Sequence, residues 1–267
     1  MRRQRRGEVV LASRLNQLLP PGVAIDAAGL AGNKALTDVR VRKAMFLALD
    51  RNDTTEMSVG DDPIPPVAAM CWKGIQQGCD YTVELPQQNV AEAKKLLADA
   101  GYPNGFETTL SFDLGFATVN EPLCVLVQES LGQIGIKVTI NKIPGANFRT
   151  ELNKKVLPLY TNVFSGWLDY PEYFFIWCYH GNNSIFNTMS YQSKDMDTLI
   201  DGAVNAAAAG DKATWEKDVK GFVDLAFTDI PRIPLFQPYS NVAMQKNVTG
   251  YQYWFHRRLD YRAFAKG

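Results

Sequence analysis

The segment from Ser165 to Tyr173, SGWLDYPEY, carries the residue types best suited to chemistry on a small molecule. It follows a largely apolar run, residues 158–164, that is typical of a buried strand. Strand ends in open α/β sheets are where ligands bind. The indole of Trp167 can hold an apolar or planar group, and the carboxylates of Asp169 and Glu172 can pair with cationic or hydroxyl groups. The segment therefore predicts a site that binds a small polar molecule.

The same carboxylates define an alternative, because a pair of acidic residues can hydrolyse a glycosidic bond. Asp169 and Glu172 would be that pair, on their composition alone. Ser165 lacks the flanking glycines of a nucleophile elbow, and neither standard glycine-rich phosphate loop occurs in the chain. In the absence of a fuller catalytic constellation, the sequence favours a binding protein over an enzyme, with no cofactor.

The cysteines and histidines do not predict a metal site. No C-x-x-C occurs, and the two histidines, at 180 and 256, do not form a ligand cluster. Cys71 and Cys79 lie in a loop-like stretch rich in proline and glycine, where a disulfide would suit an oxidising compartment. The sequence does not decide whether these two cysteines form a disulfide or are free thiols. Cys124 falls on a predicted helix and is expected to be buried and inert.

The amino-acid composition of the chain limits the kinds of partner that it is expected to bind. Lys plus Arg and Asp plus Glu both number 28 in the 267 residues, so the net charge is zero and gives no case for binding nucleic acid or an anionic membrane. No run approaches the roughly 18 apolar residues of a membrane-spanning helix. Residues 7–19 do not form the apolar core of a signal peptide. The chain is expected to be cytoplasmic, a mature form or a fragment.

The secondary-structure elements that would position the site are predicted from hydrophobic patterns, which alternate along the chain between those of strands and those of helices. Asp38 and Asn89 are good N-caps for helices beginning at 38 and 89, and the region from 52 to 86 between them is predicted as a long loop. The next part reads β-α-β-α-β, the signal for parallel strands with right-handed crossovers. These elements are expected at 106–112, 120–134, 136–143, 146–154 and 159–164. Helices at 195–208 and 211–227 and strands at 233–237 and 242–246 are predicted to follow.

Six separated segments, in order, resemble the peptide-type (family 5) extracellular solute-binding proteins of bacterial ABC importers. The resemblance covers about residues 30–250. It is carried by DVRVRKA with ALDR (38–51), the helix and AGYPNGF turn (89–106), LGQIGIKV (131–138), the Gly-Trp and acidic segment (165–173), MDTLI (196–200) and IPRIPL (230–235).

The resemblance implies two lobes that close on a ligand about a hinge. The expected fold class is α/β, a periplasmic-binding-protein-like lobe with a mixed sheet flanked by helices. Residues 1–30 would be a remnant of the first lobe and the crossover, 31–234 the second, ligand-binding lobe, and 235–267 a segment that returns toward a largely missing first lobe. A periplasmic or extracellular location and an ABC permease as partner are also implied.

By position, the resemblance gives Asp169 the role of receiving the amino terminus of a peptide, with Trp167 and Tyr170 lining the pocket. Small peptides are the favoured cargo, and nickel chelates, haem, opines and oligosaccharides are other cargoes the family implies. The aromatic residues between 167 and 179 would also suit a sugar. A core or hinge-packing indole is the alternative for Trp167, and half a cleft that binds nothing well is the alternative for the chain.

Overall fold

The computed structural model describes residues 9–15, 22–51, 53, 85–162, 168, 170–235, 239–252, 254 and 259–267. Two of the predicted ligand-binding residues, Trp167 and Asp169, lie outside the described residues. Cys71 and Cys79, the predicted disulfide pair, lie outside them as well, together with most of the predicted loop from 52 to 86.

Nine strands and seven α-helices make up the described part of the chain. The strands are β1 (Val9–Leu15), β2 (Gly22–Ile25), β3 (Glu107–Asp113), β4 (Lys137–Ile143), β5 (Leu159–Asn162), β6 (Arg232–Pro234), β7 (Tyr239–Gln245), β8 (Val248–Thr249) and β9 (Ala265–Lys266). The helices are α1 (Val39–Ala48), α2 (Val90–Asp99), α3 (Ala117–Gly132), α4 (Gly145–Lys154), α5 (Pro171–Cys178), α6 (Lys194–Ala209) and α7 (Lys212–Asp229).

Five strands form a mixed sheet in the order β4-β3-β5-β2-β6. Strand β3 pairs in parallel with β4 and β5, so the β-α-β-α-β prediction is confirmed. Only β2 runs antiparallel to its neighbours, β5 and β6. The sequence places the start of this lobe at residue 31, but β2 occupies an inner position of the sheet. Four residues directly after Pro20-Pro21 are too short to show the alternation that marks a strand.

Both faces of the sheet are covered, which buries two hydrophobic clusters. Helices α1, α2 and α3 pack on the face that carries Val23, Ile25, Leu110 and Leu159. Helices α4 to α7 pack on the other face, where Phe175 stacks on Phe222 with ring centroids 4.1 Å apart. Aromatic pairs of this kind contribute about 0.5–1.5 kcal/mol beyond their buried area. The result is the mixed sheet flanked by helices that the sequence predicts.

Four strands lie outside the five-stranded sheet and form two separate pairs. Strand β1 pairs antiparallel with β7, from Val9 opposite Gln245 to Leu15 opposite Tyr239. Near the C-terminus β8 pairs with β9. Within the described ranges, no helix combines the length and the apolar character needed to cross a membrane.

Candidate functional site

The strand ends nearest the predicted site lie along one edge of the five-stranded sheet. Strand pairing aligns the ends of β4, β3, β5 and β6 with the start of β2 in one row across the sheet. We call this the upper edge; its row is Ile143, Asp113, Asn162, Gly22 and Pro234. The predicted ligand segment follows β5 in the sequence. Strand β2 begins and β6 ends at the same edge.

Three helices follow parallel strands from the upper edge, and none has a side-chain cap at its N-terminus. Their N-cap residues are Phe116 for α3, Pro144 for α4 and Tyr170 for α5. The other four helices are capped by side chains that accept a backbone N–H, those of Asp38, Asn89, Ser193 and Asp211. The short 3-10 helix Leu114–Phe116 leads into α3, and the N–H of Ala117 already donates to the carbonyl of Leu114. The positive ends of the three helix dipoles lie at the upper edge.

Asp113, the last residue of β3, caps the short 3-10 helix Leu114–Phe116 that leads into α3, and its carboxylate faces the start of α4. Its carboxylate accepts the N–H of Gly115 at 2.7 Å. A Cβ atom built on Gly145 would lie 3.1 Å from the same carboxylate oxygen, which is tighter than most real contacts. A glycine at 145 therefore lets the first turn of α4 approach Asp113 closely.

Large apolar side chains stand exposed beside these helix starts. Phe116 is 67% exposed, and Leu114 and Tyr170 are each more than 40% exposed. Exposed apolar groups of this size are common on ligand or protein contact surfaces. The upper edge thus combines exposed apolar side chains with three helix N-termini.

Of the predicted site residues, the structure describes Tyr170 and places it at the N-cap of α5, exposed at the upper edge. Glu172, the second carboxylate of the alternative hydrolase pair, is not a solvated loop residue. It lies in the first turn of α5, and its Oε2 atom is buried without a hydrogen bond among the described residues. Burial raises the pKa of Glu172, and a hydrogen bond from its own backbone N–H offsets only part of that shift.

Helix α5 itself was absent from the sequence prediction. Its residues are apolar on nearly all sides, so the 3.6-residue period is weak. One signal was available: Pro171 at the first helical position is a favoured helix start. Phe174, Phe175 and Cys178 then mark the buried face.

The other potentially reactive side chains, Cys124 and His180, lie in surroundings typical of residues with a structural role. Cys124 is buried, as predicted, and desolvation raises the pKa of its thiol to about 12. His180 accepts the N–H of Asn182 on Nδ1 at 3.1 Å and places Nε2 3.3 Å from Asp201 Oδ1. No group of three or more His, Cys, Asp or Glu side chains able to hold a metal occurs in the described part of the chain.

A mixed sheet covered by helices on both faces, with the ends of its parallel strands at one edge, matches the architecture of a lobe of a periplasmic binding protein. The chain belongs to the bacterial extracellular solute-binding proteins, family 5, whose middle region matches residues 9–186. The resemblance found in the sequence motifs is thereby confirmed, and so is the fold class.

Individual relatives agree with this assignment. The chain is 26% identical over 244 residues to the oligopeptide-binding protein AppA of Bacillus subtilis, covering 85% of this chain and 44% of AppA. It is 25% identical over 232 residues to the glutathione-binding protein GsiB of Shigella flexneri, covering 82% of this chain and 43% of GsiB. The structure of HbpA2 from Haemophilus parasuis superposes with a TM-score of 0.81 at 20% identity, over 97% of this chain and 50% of HbpA2. The chain thus spans about half the length of these relatives.

Proposed function

We propose that this chain forms the ligand-binding lobe of an ABC importer's solute receptor, which captures small peptides outside the cytoplasm and delivers them to a membrane permease. The observation that carries the proposal is the convergence at the upper edge. The predicted ligand segment follows β5 in the sequence, and β5 ends at the upper edge, where β2 begins and β6 ends. In open α/β folds, a ligand binds where strand ends and crossings meet.

Peptides are the cargo that the chemistry of this edge favours. The Asp169 carboxylate would receive the ammonium group of the peptide, and exclusion of water on closure would strengthen that pair. Trp167 and Tyr170 would cover the adjoining residue. The uncapped N-termini of α3, α4 and α5 would favour the negative end of a zwitterion. The names of the relatives AppA and GsiB, an oligopeptide and a glutathione receptor, support the same class of cargo.

The division of the chain belongs to the same proposal. Residues 31–234, together with strand β2, would form the lobe that carries the site. Residues 1–30 and 235–267 contribute β1 and β7, which pair with each other outside the sheet. This ribbon would connect to the partner lobe whose closure completes the cleft.

Substitution of Asp169 tests the function. We expect Asp169→Ala to weaken the binding of a dipeptide by about 2–5 kcal/mol, measured by isothermal titration calorimetry, because a charge-assisted bond in a closed cleft is lost. Asp195→Ala, which removes an exposed carboxylate at the start of α6, is the matched control and should leave the affinity unchanged. Equal affinities for the wild type and Asp169→Ala would refute the role of Asp169.

The cargo class is tested on the same protein. Oligosaccharides and nickel chelates serve as comparison ligands in a thermal-shift panel with di- and tripeptides. Ligand at 100 times its dissociation constant adds about 2.7 kcal/mol of stability. A shift with an oligosaccharide and none with peptides would replace the peptide assignment with a sugar receptor.

A further inference from the structure

A buried histidine closes the first turn of the connection between α5 and α6. His180 lies two residues beyond the end of α5, and 9% of its side chain is exposed. Its Nδ1 atom accepts the backbone N–H of Asn182 at 3.1 Å. Asparagine and aspartate side chains often make this hydrogen bond to the backbone two residues on, but neither ordinarily changes its charge between pH 5 and pH 8. His180 therefore closes the turn with a group that can.

The contacts of the His180 ring indicate which of its nitrogens carries the proton. A nitrogen that accepts an N–H has no proton of its own, so Nδ1 is unprotonated. The proton of the neutral ring then lies on Nε2, which is 3.3 Å from Oδ1 of Asp201 on α6. The neutral ring thus has an acceptor for its proton and a donor for its lone pair.

A second proton would reverse the contact with Asn182. The charged ring carries a proton on each nitrogen, so its Nδ1–H group would point at the N–H of Asn182 instead of accepting it. Oδ1 of Asp197 lies 3.7 Å from Nδ1, which is too far for a hydrogen bond. That oxygen already accepts the N–H of Gly181 at 2.7 Å, and a carboxylate oxygen can accept a second donor. The ring would therefore turn toward Asp197 and leave the N–H of Asn182 without its acceptor.

The other titratable groups around the ring come from α6, from the end of α5 and from the connection itself. Asp197 and Asp201 are the carboxylates within 4.0 Å of the ring nitrogens in the described part of the chain. Burial raises the pKa of the Cys178 thiol to about 12 and holds the pKa of the Tyr179 and Tyr191 phenols above its ordinary value. The thiol and the phenols therefore stay uncharged from pH 5 to pH 8, the range in which histidine side chains ordinarily change charge.

The end of the connection is attached independently of the ring. The side-chain amide of Asn187 donates to the backbone carbonyls of His180 and Tyr191, at 3.3 and 2.7 Å. The ammonium group of Lys155, which follows α4, in turn donates to the carbonyl of Asn187. Protonation of the ring would therefore free the residues next to Asn182 without detaching the end of the connection.

We infer that His180 is a pH-sensitive switch in the connection between α5 and α6. The neutral ring holds the turn at Asn182, and the protonated ring releases that turn and pairs with Asp197 and Asp201. The switch lies at the opposite end of α5 from Tyr170 and the predicted ligand segment. It does not depend on which ligand the lobe binds.

NMR of the ring itself tests the first half of the switch. The chain has one other histidine, and a His256→Gln background leaves the ring of His180 as the sole imidazole. Long-range ¹H–¹⁵N correlations should place the proton on Nε2 at pH 8 and show a proton on each nitrogen at pH 5. A proton on Nδ1 at pH 8, or a ring that is still neutral at pH 5, would overturn the switch.

Solvent exchange of the Asn182 amide tests the second half. His180→Asn, in the same background, is the matched control, because its side-chain oxygen can accept the N–H of Asn182 and does not titrate. The amide should exchange at equal rates in the two proteins at pH 8. At pH 5 it should exchange about tenfold faster with histidine than with asparagine, the effect of one lost hydrogen bond. Equal rates at pH 5 would contradict the switch.

The amide of Asp26, which donates to the carbonyl of Pro158 at 2.9 Å, distinguishes a local change from general unfolding. It should exchange equally in both proteins at pH 5. Faster exchange of this amide with histidine would show that protonation unfolds more than one connection and would overturn a local switch. The ring protons are read from the histidine itself, so that half of the test needs no substitution at position 180.

Discussion

The two edges of the five-stranded sheet differ in how the chain completes its own hydrogen bonding. At the lower edge, where β2 ends and β5 and β6 begin, the backbone N–H of Asp26 donates to the carbonyl of Pro158 at 2.9 Å. The carboxylate of Asp26 in turn accepts the N–H of Ala31 at 2.6 Å, and Lys155 donates to the carbonyl of Asn187. At the upper edge, three helix N-termini have no side-chain cap.

This difference indicates which edge is built for stability and which for binding. Hydrogen bonds within the chain join the connections of the lower edge, although Asp26 Oδ1 is buried there without a hydrogen bond to the described residues. Helix N-termini without a side-chain cap and exposed apolar side chains at the upper edge offer a ligand positive helix ends and apolar surface. Changes at the upper edge are therefore expected to affect ligand binding, and changes at the lower edge are expected to affect stability.

Removal of Arg42 from the lower-edge side of the molecule should have the largest effect on stability. Its guanidinium donates to the carbonyls of Leu36, Thr37 and Asp229, at 2.7 to 2.9 Å, and so joins the connection after β2 to the end of α7. We expect Arg42→Met to lower the free energy of unfolding by about 3–5 kcal/mol, because three carbonyls lose a charged donor. Urea denaturation followed by circular dichroism measures this.

Arg40 provides the control, because Arg40→Met removes a half-exposed guanidinium that pairs with Asp38 and the carbonyl of Asp99 at the surface. A loss for Arg42→Met no larger than that for Arg40→Met would show that the lower edge does not depend on its internal hydrogen bonds.

A cap placed at the upper edge should raise stability and lower affinity together. Tyr170 has the extended backbone of an N-cap residue, with φ −112° and ψ 134°. We therefore expect Tyr170→Ser to raise the free energy of unfolding by about 0.5–1 kcal/mol and to weaken peptide binding. At a helix that already has its cap, Ser193→Ala should instead cost about 1 kcal/mol.

Tyr170→Ala separates the two effects of that change, because it removes the ring without supplying a cap. The account requires weaker binding in both Tyr170 variants and a gain in stability only for serine. A stability gain in both variants would mean that the exposed ring, and not the missing cap, limits stability at this position.

Substitution of Glu172 should have the smallest effect on stability, and this effect depends on pH. Because burial raises its pKa in the folded state, the folded chain holds this proton more tightly than the unfolded chain. The contribution of Glu172 to stability therefore grows as the pH falls through the raised pKa and is reduced at neutral pH. We expect Glu172→Gln to be at least as stable as the wild type at pH 7, with this advantage declining by pH 4.5.

The exposed Glu129→Gln should show no such change when both variants are unfolded in urea at the two pH values. An advantage of Glu172→Gln that stays constant between pH 7 and pH 4.5 would contradict the burial of an ionised Glu172.

The part of the fold that the sequence predicts is the part where periodicity is strong. The alternating strands and amphipathic helices between 106 and 164, and the caps at Asp38 and Asn89, are found where expected. Strand β2 was missed because it is four residues long, and helix α5 because its sequence is apolar on most sides. Short or uniformly apolar segments acquire their structure from tertiary packing, which a single sequence does not display.

For the site, the sequence predicts a ligand segment but not its surroundings. The Gly-Trp motif and Asp169 carry that prediction, and Tyr170 of the segment is exposed. The uncapped helix starts and the burial of Glu172 depend on strand alignment and on α7 packing over α5, contacts between residues far apart in the chain. The placement of Trp167 and Asp169, and the pairing of Cys71 with Cys79, remain predictions.

The central claim is that the upper edge, and not the lower one, binds the ligand. Amide chemical shifts recorded by NMR during a titration with dialanine test it most directly. The account predicts shifts at the upper-edge amides of Gly115, Ala117 and Gly145, with the lower-edge amides of Ala27 and Ala31 unchanged. Shifts confined to the lower edge, or no shift at either edge at millimolar peptide, would contradict it.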